Sequence, residues 1–302
     1  MFQAKVTRSA LRAAAKRSRK APALMTRSHF IKYFLTGLGT AAILSACENS
    51  GSNTSSTSKG NSQTATAGKT IKVATEPAFP PFESKGSGNE LVGFDIDLIK
   101  AVGQAAGLTI EFQSLPFDGI IPGLQANTID AAISSITITP ERAQAVSFSR
   151  PYFKAGLAIA VRQDNTTITN LDSLKGKKIA VQIGTTGSKK AKSISGAQVR
   201  EFDSAPLALQ ELANGNVDAV INDAPVTLYA INSGNIKGLK VVGQLLTEEY
   251  YGIALPKNSP NLNAINTALA KIISDGTYAQ IYKKWFNAEP PKLPETAPAS
   301  SS

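Results

Sequence analysis

The sequence has 302 residues, enough for one large or two small domains, and a formal charge of +10. Nine of its 32 basic residues and none of its 22 acidic ones precede Cys47, so the remaining 23 basic residues balance the acids and predict no nucleic-acid-binding surface. The only His, His29, lies before Cys47, which is the only Cys. This composition excludes Ser-His and Cys-His nucleophile pairs, thiol redox sites and His/Cys zinc sites from the chain after Cys47.

Residues 1–46 have the pattern of an export signal. The basic residues end at Lys32, and the uncharged stretch 33–46 is too short for a membrane-spanning helix but fits a signal-peptide core. Residues 44–47, Leu-Ser-Ala-Cys, resemble a bacterial lipobox, in which the Cys thiol receives a lipid. We therefore expect a protein anchored to the membrane through Cys47 on the extracytoplasmic, periplasmic side. The alternative is a buried free Cys beside a stop-transfer helix.

The export signal has two candidate starts. Translation from Met25 instead of Met1 would give the signal a compact length, and both starts stay open.

Composition also marks the two ends of the folded body. Residues 47–69 are Ser, Thr, Gly and Asn with almost nothing apolar, which predicts a flexible linker of about 25 Å root-mean-square span. Residues 288–302 are rich in Pro and Ser and predict a disordered tail.

Strand and helix signals alternate from residue 70 onward. Residues 71–75 predict a strand, and residues 95–106 predict a helix that Gly107 ends. Further helices are predicted at 118–126, 140–144, 186–193, 205–213, 225–232, 260–274 and 277–286. Further strands are predicted at 108–112, 129–133, 146–148, 156–162, 178–182, 198–202, 217–221, 240–243 and 252–255. This alternation predicts the α/β class with largely parallel sheets.

One pattern occurs twice, about 88 residues apart. Leu124–Ser135 and Leu212–Asp223 each contain a helix end, a polar turn and a short apolar strand that closes on two polar residues. The pattern favours the same unit in two similar lobes, although coincidence is the alternative. Ligands bind beyond the carboxyl ends of parallel strands, so Ser134 and Ser135 would share a cleft with the Asn222-Asp223 pair.

Residues 136–142, Ile-Thr-Ile-Thr-Pro-Glu-Arg, have the pattern of a helix start. Thr139 suits the N-cap and Pro140 the first helical position, where free N–H groups and the helix dipole attract an anion. A cation is unfavourable at this end of a helix, so Arg142 indicates a bound carboxylate, which a planar guanidinium matches. The alternative is a solvated Arg142 that pairs with Glu141.

Residues 184–187, Gly-Thr-Thr-Gly, lie between a predicted strand and a predicted helix. The turn predicts a second group of N–H donors for an anion, through Thr185 and Thr186, although an ordinary loop has the same composition. The spacing of a P-loop is missing, so we expect no nucleotide.

Four more residues suit the other parts of a ligand. Asp223 ends a predicted buried strand and suits an ammonium group, or else the N-cap of the next helix. Glu76 follows the first strand in a Pro-rich loop. Phe79 and Phe117 suit an apolar sandwich around an aliphatic stem or a guanidinium face, or else belong to the core.

Several segments carry a resemblance to a known family, in order, over nearly all of residues 70–287. They are 73–82, 93–98 (Gly-Phe-Asp-Ile-Asp-Leu), 117–122, 133–142, 148–152, 180–188, 218–225 and 275–285. Together they resemble the polar amino-acid receptors of ABC importers, family 3 of the bacterial extracellular solute-binding proteins. Glutamine-binding and lysine/arginine/ornithine-binding proteins are the nearest types.

The resemblance implies an α/β fold of the two-lobed periplasmic-binding-protein kind, type II, with a ligand cleft between the lobes. Two hinge strands would cross between the lobes, near residues 152–156 and 247–251. Lobe 1 would comprise residues 70–151 plus 252–287, and lobe 2 residues 157–246.

The resemblance also implies how the cleft holds the backbone of a free L-amino acid. By family position, Arg142 binds the α-carboxylate with help from the backbone of Thr137 and Thr186. Asp223 binds the α-ammonium together with Ser135 and Thr137.

The ligand side chain would meet Glu76, Phe79 and Phe117. Relatives often have Asp where this chain has the longer Glu76, and position 222, here Asn222, varies with specificity in the family. The complete predicted set is Glu76, Phe79, Phe117, Ser134, Ser135, Thr137, Arg142, Thr185, Thr186, Asn222 and Asp223. Because no second cation is assigned to the pocket, glutamate and aspartate are disfavoured. Glu76 favours a cation or an amide N–H, so we expect a basic amino acid first and glutamine second.

These implications predict a substrate-binding component that delivers its ligand to an ABC permease in the cytoplasmic membrane. We expect a monomer with no catalytic residue, cofactor, metal or nucleic-acid partner. An enzyme on the same fold, similar to cyclohexadienyl or arogenate dehydratases with Glu76 as the general acid, is the alternative. A sensor or cell-wall-enzyme domain is a third.

Overall fold

The computed structural model describes residues 68–298. The predictions for the signal peptide, for Cys47 and for the linker up to residue 67 lie outside the described residues. The α-helices within 68–298 are α1 (Phe94–Ala106), α2 (Phe117–Gln125), α3 (Pro140–Ala145), α4 (Thr186–Lys192), α5 (Ala205–Ala213), α6 (Ala224–Asn232), α7 (Leu262–Ser274) and α8 (Thr277–Phe286). None of these described helices combines the length and the apolar character needed to cross a membrane.

The strands of the described residues fall into two large and two small sheets. They are β1 (Lys69–Thr75), β2 (Ala78–Phe79), β3 (Glu83–Lys85), β4 (Leu91–Val92), β5 (Leu108–Ser114), β6 (Ala131–Ala132), β7 (Ser147–Phe148), β8 (Phe153–Ala155), β9 (Leu157–Arg162), β10 (Lys178–Gln182), β11 (Gln198–Phe202), β12 (Ala219–Asp223), β13 (Leu239–Val242), β14 (Glu249–Tyr251) and β15 (Ala254–Leu255). A 3₁₀ turn spans Asp172–Leu174.

The helix α1 shows why the sequence predicts these elements well. Its apolar residues Ile96, Ile99 and Val102 are buried, and the last two belong to the core of the first large sheet. It ends at Gly107, whose left-handed φ of 67° suits a residue without a side chain. Every predicted helix in the described range is present, with ends shifted by at most two residues.

The two large sheets have the same topology. The first sheet has the strand order β5-β1-β6-β15-β7, and the second has the order β11-β10-β12-β9-β13. In each sheet the first three strands pair in parallel and the other two pairings are antiparallel. The two copies of the repeated sequence pattern end in β6 and β12, which both occupy the third position. The structure therefore gives the two copies equivalent places in two sheets.

The same Asp of each copy performs the same local task. Asp130 Oδ2 accepts a hydrogen bond of 2.8 Å from the N–H of Lys72 on the neighbouring strand. Asp218 Oδ2 accepts one of 2.8 Å from the N–H of Lys178. Each Asp thus pairs a backbone donor just before the parallel pairing with β6 or β12 begins, which explains why the pattern contains it twice.

Two short crossing strands connect the two large sheets. β8 and β14 pair antiparallel, with Phe153 opposite Tyr251, and lie where hinge strands were predicted. The Phe153 ring stacks on Tyr251 at a centroid separation of 5.6 Å, and it meets Phe82 edge-on at 4.8 Å. This aromatic packing anchors the crossing strands to the core of the first sheet.

Two observations refine the predicted boundaries. β12 begins and ends two residues later than predicted, because its antiparallel pairing with β9 extends to Asp223 opposite Leu157. Residues 288–298 contain no helix or strand, and Leu293 packs partly buried against the core of the first sheet. The exact lobe limits and the disorder of the tail stay predictions.

Candidate functional site

Residues at the carboxyl ends of strands in the two large sheets face one another across a narrow cleft. The cleft is lined by Phe79, Phe117, Ser134, Ser135, Thr137 and Arg142 from the side of the first sheet, and by Gln182, Thr185, Thr186 and Asp223 from the side of the second. We call these two groups the first wall and the second wall. All of them except Gln182 belong to the predicted set.

Ser134 and Ser135 follow β6 and supply polar groups of the first wall. Ser134 Oγ donates a hydrogen bond of 3.0 Å to Glu83 and accepts one of 3.0 Å from the N–H of Glu76. Ser135 has a left-handed φ of 50°, uncommon outside glycine, and its N–H donates to Asp95 Oδ2 at 2.8 Å. Its Oγ is buried and has no hydrogen-bond partner within residues 68–298. That hydroxyl is therefore available to a ligand.

Arg142 lies in the first turn of α3 and turns its guanidinium into the cleft. Thr139 caps the helix as predicted, because its Oγ1 accepts the N–H of Arg142 at 3.1 Å. The guanidinium donates to the carbonyl oxygen of Thr137 at 2.9 Å and, across the cleft, to that of Gly184 at 2.9 Å. Its carbon lies 5.4 Å from the centre of the Phe117 ring. Arg142 therefore presents a fixed planar cation to the cleft.

The alternative role of Arg142, a solvated pair with its neighbour Glu141, is not formed. Glu141 pairs with Lys189 of the second wall's helix α4 instead. Burial lowers the pKa of Arg142, while the charges of Glu249, Asp223 and Glu141 raise it. A guanidinium stays charged despite such shifts, so the cleft holds a permanent cation that a carboxylate can compensate.

The second wall contains the start of α4. Thr185 is its N-cap, with Oγ1 accepting the N–H of Ser188 at 3.1 Å. Gly184 before it has a left-handed φ of 77°, and a Cβ there would lie 3.1 Å from the Cβ of Asp118 on α2. A glycine at this position therefore lets the two walls approach closely. Thr186 is the first helical residue, whose N–H has no carbonyl partner inside the helix.

Asp223 ends β12 with an unsatisfied oxygen. It occupies the N-cap position of α6, but its side chain makes no capping hydrogen bond, and Oδ1 is buried without a partner in the described part of the chain. Burial, and then the charge of Glu249, raises the pKa of Asp223 to about 7, against the Tyr251 hydroxyl and Arg142, which lower it. The capping alternative is thus not realised, and an incoming cation would satisfy this carboxylate.

Glu76 follows β1 and is bonded across the cleft. Gln182 Nε2, on the second wall, donates to Glu76 Oε2 at 2.7 Å and also reaches the carbonyl oxygen of Asp203 at 3.2 Å. Burial raises the pKa of Glu76 to about 7; the hydrogen bond from Gln182 opposes this rise and the charge of Asp118 adds to it. Glu76 is thus a second carboxyl group that a cation would stabilise in its charged form.

The two phenylalanines of the predicted sandwich have different partners. Phe79 packs against Phe82, with ring centroids 6.4 Å apart, as part of the core of the first sheet. Phe117 is half-buried beneath the guanidinium of Arg142. Both rings line the cleft, but their stacking around a ligand stays a prediction.

Two predicted residues, Glu76 and Asn222, are not among those that line the cleft, although Glu76 contacts the lining residue Gln182. Asn222 Nδ2 donates to Thr227 Oγ1 on α6 at 3.3 Å, because neighbouring side chains of a strand point to opposite faces and Asp223 faces the cleft. The sequence prediction lacks two residues, Gln182 and Glu249. Gln182 is the last residue of a predicted parallel strand, a position that could have revealed it. Nothing in the sequence around Glu249 indicates its contacts.

The cleft is closed. The cavity between its walls has a volume of about 10 Å³, room for about one water molecule. The bonds from Arg142 to Gly184 and from Gln182 to Glu76 join the walls. A molecule of amino-acid size therefore enters only when the walls separate, and its groups then replace these protein–protein hydrogen bonds.

Comparisons with known proteins agree with this architecture. The family model described as bacterial extracellular solute-binding proteins, family 3, matches residues 71–288. The Escherichia coli K12 protein named putative ABC transporter arginine-binding protein 2 is 38% identical over 237 residues, which cover 75% of this chain and 95% of that protein. A probable histidine-binding protein of Neisseria gonorrhoeae is 33% identical over 264 residues, 85% of this chain and 96% of that one.

A solved structure shares the fold at higher identity. The structure described as an ancestral arginine-binding protein bound to arginine superposes with a TM-score of 0.70 at 46% identity, covering 73% of this chain and 99% of the other. The two sheets, the crossing strands and the cleft are therefore those of the two-lobed periplasmic-binding-protein fold, type II. The chain belongs to the bacterial extracellular solute-binding proteins of family 3.

Proposed function

We propose that this protein captures a free L-amino acid with a basic side chain, of the arginine, lysine or histidine type, and accepts glutamine as a weaker ligand. One observation carries the proposal. Arg142 on the first wall and Asp223 on the second line the same cleft, and a buried oxygen of Asp223 has no partner in the described residues. Opposite charges on facing walls match the two poles of a zwitterion.

In this proposal the α-carboxylate takes the place of the Gly184 carbonyl oxygen on the guanidinium of Arg142. The N–H groups of Thr137 and Thr186 add donors to the same carboxylate. The α-ammonium meets Asp223 and the free hydroxyl of Ser135. Replacing a neutral acceptor on Arg142 by an anion strengthens that bond, because charge-assisted hydrogen bonds are roughly twice as strong as neutral ones.

The preference for a basic side chain rests on charge. With Asp223 and Glu76 ionised, one carboxylate of the cleft lining and one bonded to it through Gln182 outnumber the guanidinium of Arg142. An ammonium or guanidinium group would replace the side-chain amide of Gln182 on Glu76, and the amide of glutamine could do the same without charge. A second carboxylate in the ligand would meet Glu76 without a compensating cation, so glutamate is disfavoured.

Closure around the ligand is the proposed working step. Each pole of the zwitterion binds a different wall, so the ligand favours the closed form by the difference between its affinities for the two forms. The closed protein is then the form that an ABC permease would recognise.

The relatives' names support this ligand class, since they refer to binding of arginine and histidine and to ABC transport. We include in the proposal a periplasmic location, a lipid anchor at Cys47, a monomeric state and the lack of catalytic activity.

Isothermal titration of the purified protein with arginine, lysine, histidine, glutamine, glutamate and aspartate tests the proposal. We expect the tightest binding for a basic amino acid, weaker binding for glutamine and none for the acidic pair. Tight glutamate binding without arginine or glutamine binding would refute it. Conversion of prephenate or arogenate to an aromatic product would establish the dehydratase alternative.

A further inference from the structure

A buried carboxylate that belongs to neither wall joins both of them. Glu249 lies on the crossing strand β14 and is 5% exposed. Its Oε2 accepts hydrogen bonds from the hydroxyl of Thr137 at 2.7 Å and from that of Thr186 at 3.0 Å. Its Oε1 accepts one from Thr247 at 3.1 Å.

The two hydroxyls on Oε2 come from opposite walls. Thr137 follows β6 of the first sheet, whereas Thr186 begins α4 on the side of the second sheet. A hydrogen bond weakens steeply beyond about 3.2 Å between the heavy atoms, so an opening of even 2 Å breaks at least one of these two bonds. The pair of bonds therefore exists in full only in the closed form.

The direction of the two bonds also matters for the ligand. A carboxylate oxygen only accepts, so both threonine hydroxyls donate their hydrogen atoms to Glu249. Their lone pairs are then left for a cation in the cleft, and neither hydroxyl can donate to a carboxylate. A threonine hydroxyl can donate or accept a hydrogen bond, and Glu249 thus leaves these two hydroxyls as acceptors toward the ligand.

We propose that Glu249 is a positioning residue, which stabilises the closed form by tying Thr137 to Thr186 and orients their hydroxyls toward the ligand's ammonium group. Its role in closure is independent of which amino acid is bound, whereas its role in orientation rests on the proposed function. It acts on ligand binding through the two threonines.

The test measures closure and affinity separately. In a Cys47→Ser background, spin labels at Gln125→Cys on α2 and Ser195→Cys beyond α4 report the separation of the walls by pulsed electron paramagnetic resonance. Both label sites are exposed. The distances are recorded without any amino acid, and arginine affinity is measured by titration calorimetry on the same proteins.

The variants Glu249→Ala and Thr186→Val and their combination form a double-mutant cycle, which measures how strongly the two residues depend on each other. Glu249→Gln is a milder change. Glu248→Ala is the matched control, because it removes the same charge one residue away. Glu248 is 51% exposed at its side chain and contacts Lys154 and Tyr250, not the two threonines.

We expect Glu249→Ala to shift the ligand-free distances toward the open form and to weaken arginine binding about tenfold. Thr186→Val should act in the same direction but more weakly, because it removes one of the three bonds to Glu249, and the double variant should add little to Glu249→Ala. Glu249→Gln should lie between wild type and Glu249→Ala, while Glu248→Ala should match wild type. Unchanged distances in Glu249→Ala, fully additive effects in the double variant, or an equal effect of Glu248→Ala would each overturn the proposal.

The distance measurement keeps this inference apart from the proposed function. If arginine fails to bind but Glu249→Ala still opens the ligand-free protein, the ligand class is wrong and the closure role stands. If arginine binds but Glu249→Ala leaves the ligand-free distances unchanged, the ligand class stands and the closure role of Glu249 is wrong. Should Glu249→Ala fail to fold, the ligand-free distances in Glu249→Gln and Thr186→Val test the closure role instead. A shift toward the open form supports that role, and unchanged distances overturn it.

Discussion

Gln182 donates a 2.7 Å hydrogen bond to Glu76 across the cleft, at the place where the proposed ligand would put its cationic or amide group. Glu76 and Asp223 both have a pKa raised to about 7. This relationship leads to predictions about pH, selectivity and the groups that support the cleft.

Binding of arginine should strengthen as the pH rises through 7. Burial raises the pKa of both Glu76 and Asp223 to about 7, and a bound cation lowers both because it stabilises their charged forms. One pH unit below its pKa, deprotonating each group costs about 1.4 kcal/mol, about tenfold in affinity. Titration calorimetry at pH 6, 7 and 8 should show this trend and a release of protons on binding. A flat profile would contradict the assignment of these carboxylates to the ligand.

Replacing Glu76 by Gln should change selectivity more than it changes stability. The amide keeps a bond to Gln182 but no longer compensates a cationic side chain, so arginine binding should fall by about 1.5–3 kcal/mol. Glutamine affinity should change much less. Parallel titrations with both amino acids give the ratio. The control is Glu211→Gln on α5, because Glu211 bonds to Asn216 and does not line the cleft. Equal losses for arginine and glutamine would place Glu76 away from the ligand side chain.

Arg142→Lys should abolish most binding although it keeps the positive charge. The guanidinium holds the cleft through two separate N–H groups and lies over the ring of Phe117. A lysine ammonium lacks this planar fork, so affinity should drop about 100-fold. The melting temperature without ligand is the check on folding, and Arg162→Lys, whose guanidinium bonds to Val217 away from the cleft, is the control. Near-native affinity in Arg142→Lys would remove Arg142 from the carboxylate site.

Replacing a buried carboxyl group by its amide should destabilise the protein more at Asp95 than at Glu83. Both side chains contact the Ser134-Ser135 pair of the first wall. Glu83 Oε2 and Asp95 Oδ1 both lack a hydrogen-bond partner in the described residues, and one proton shared between the two carboxyl groups would satisfy both. Burial, and then the charge of Asp95, raises the pKa of Glu83 well above its usual range, so Glu83 carries that proton.

Asp95 accepts from the Tyr152 hydroxyl at 2.7 Å and from the N–H of Ser135 at 2.8 Å, so it must remain an acceptor. Glu83→Gln retains a donor and should cost less than about 1 kcal/mol of unfolding free energy, whereas Asp95→Asn should cost about 1–3 kcal/mol. Urea unfolding of the two variants measures both values. The reverse order would mean that Asp95, not Glu83, carries the proton.

Local patterns predicted much of this architecture because their physical causes are local. The apolar spacing of α1, the cap at Thr139 and the left-handed stop at Gly107 depend on neighbours within a few residues. Most of the predicted cleft residues could be named because they follow strands, and the ends of parallel strands meet at one edge of a sheet. Asn222 shows the limit of that reasoning, since the alternation of side chains along β12 turns it away from the cleft.

What the sequence determined by itself is the order and type of the elements, the duplication of one unit and the charges available for a ligand. Only the tertiary structure decided which of these charges meet. Gln182 and Glu76 are 106 positions apart, and they meet because the two large sheets face each other across the cleft. Glu249 and Thr137 are 112 positions apart, and they meet because the crossing strand β14 runs beside the segment after β6. No local pattern encodes such distances, because a side chain's partners depend on how whole elements are placed in space.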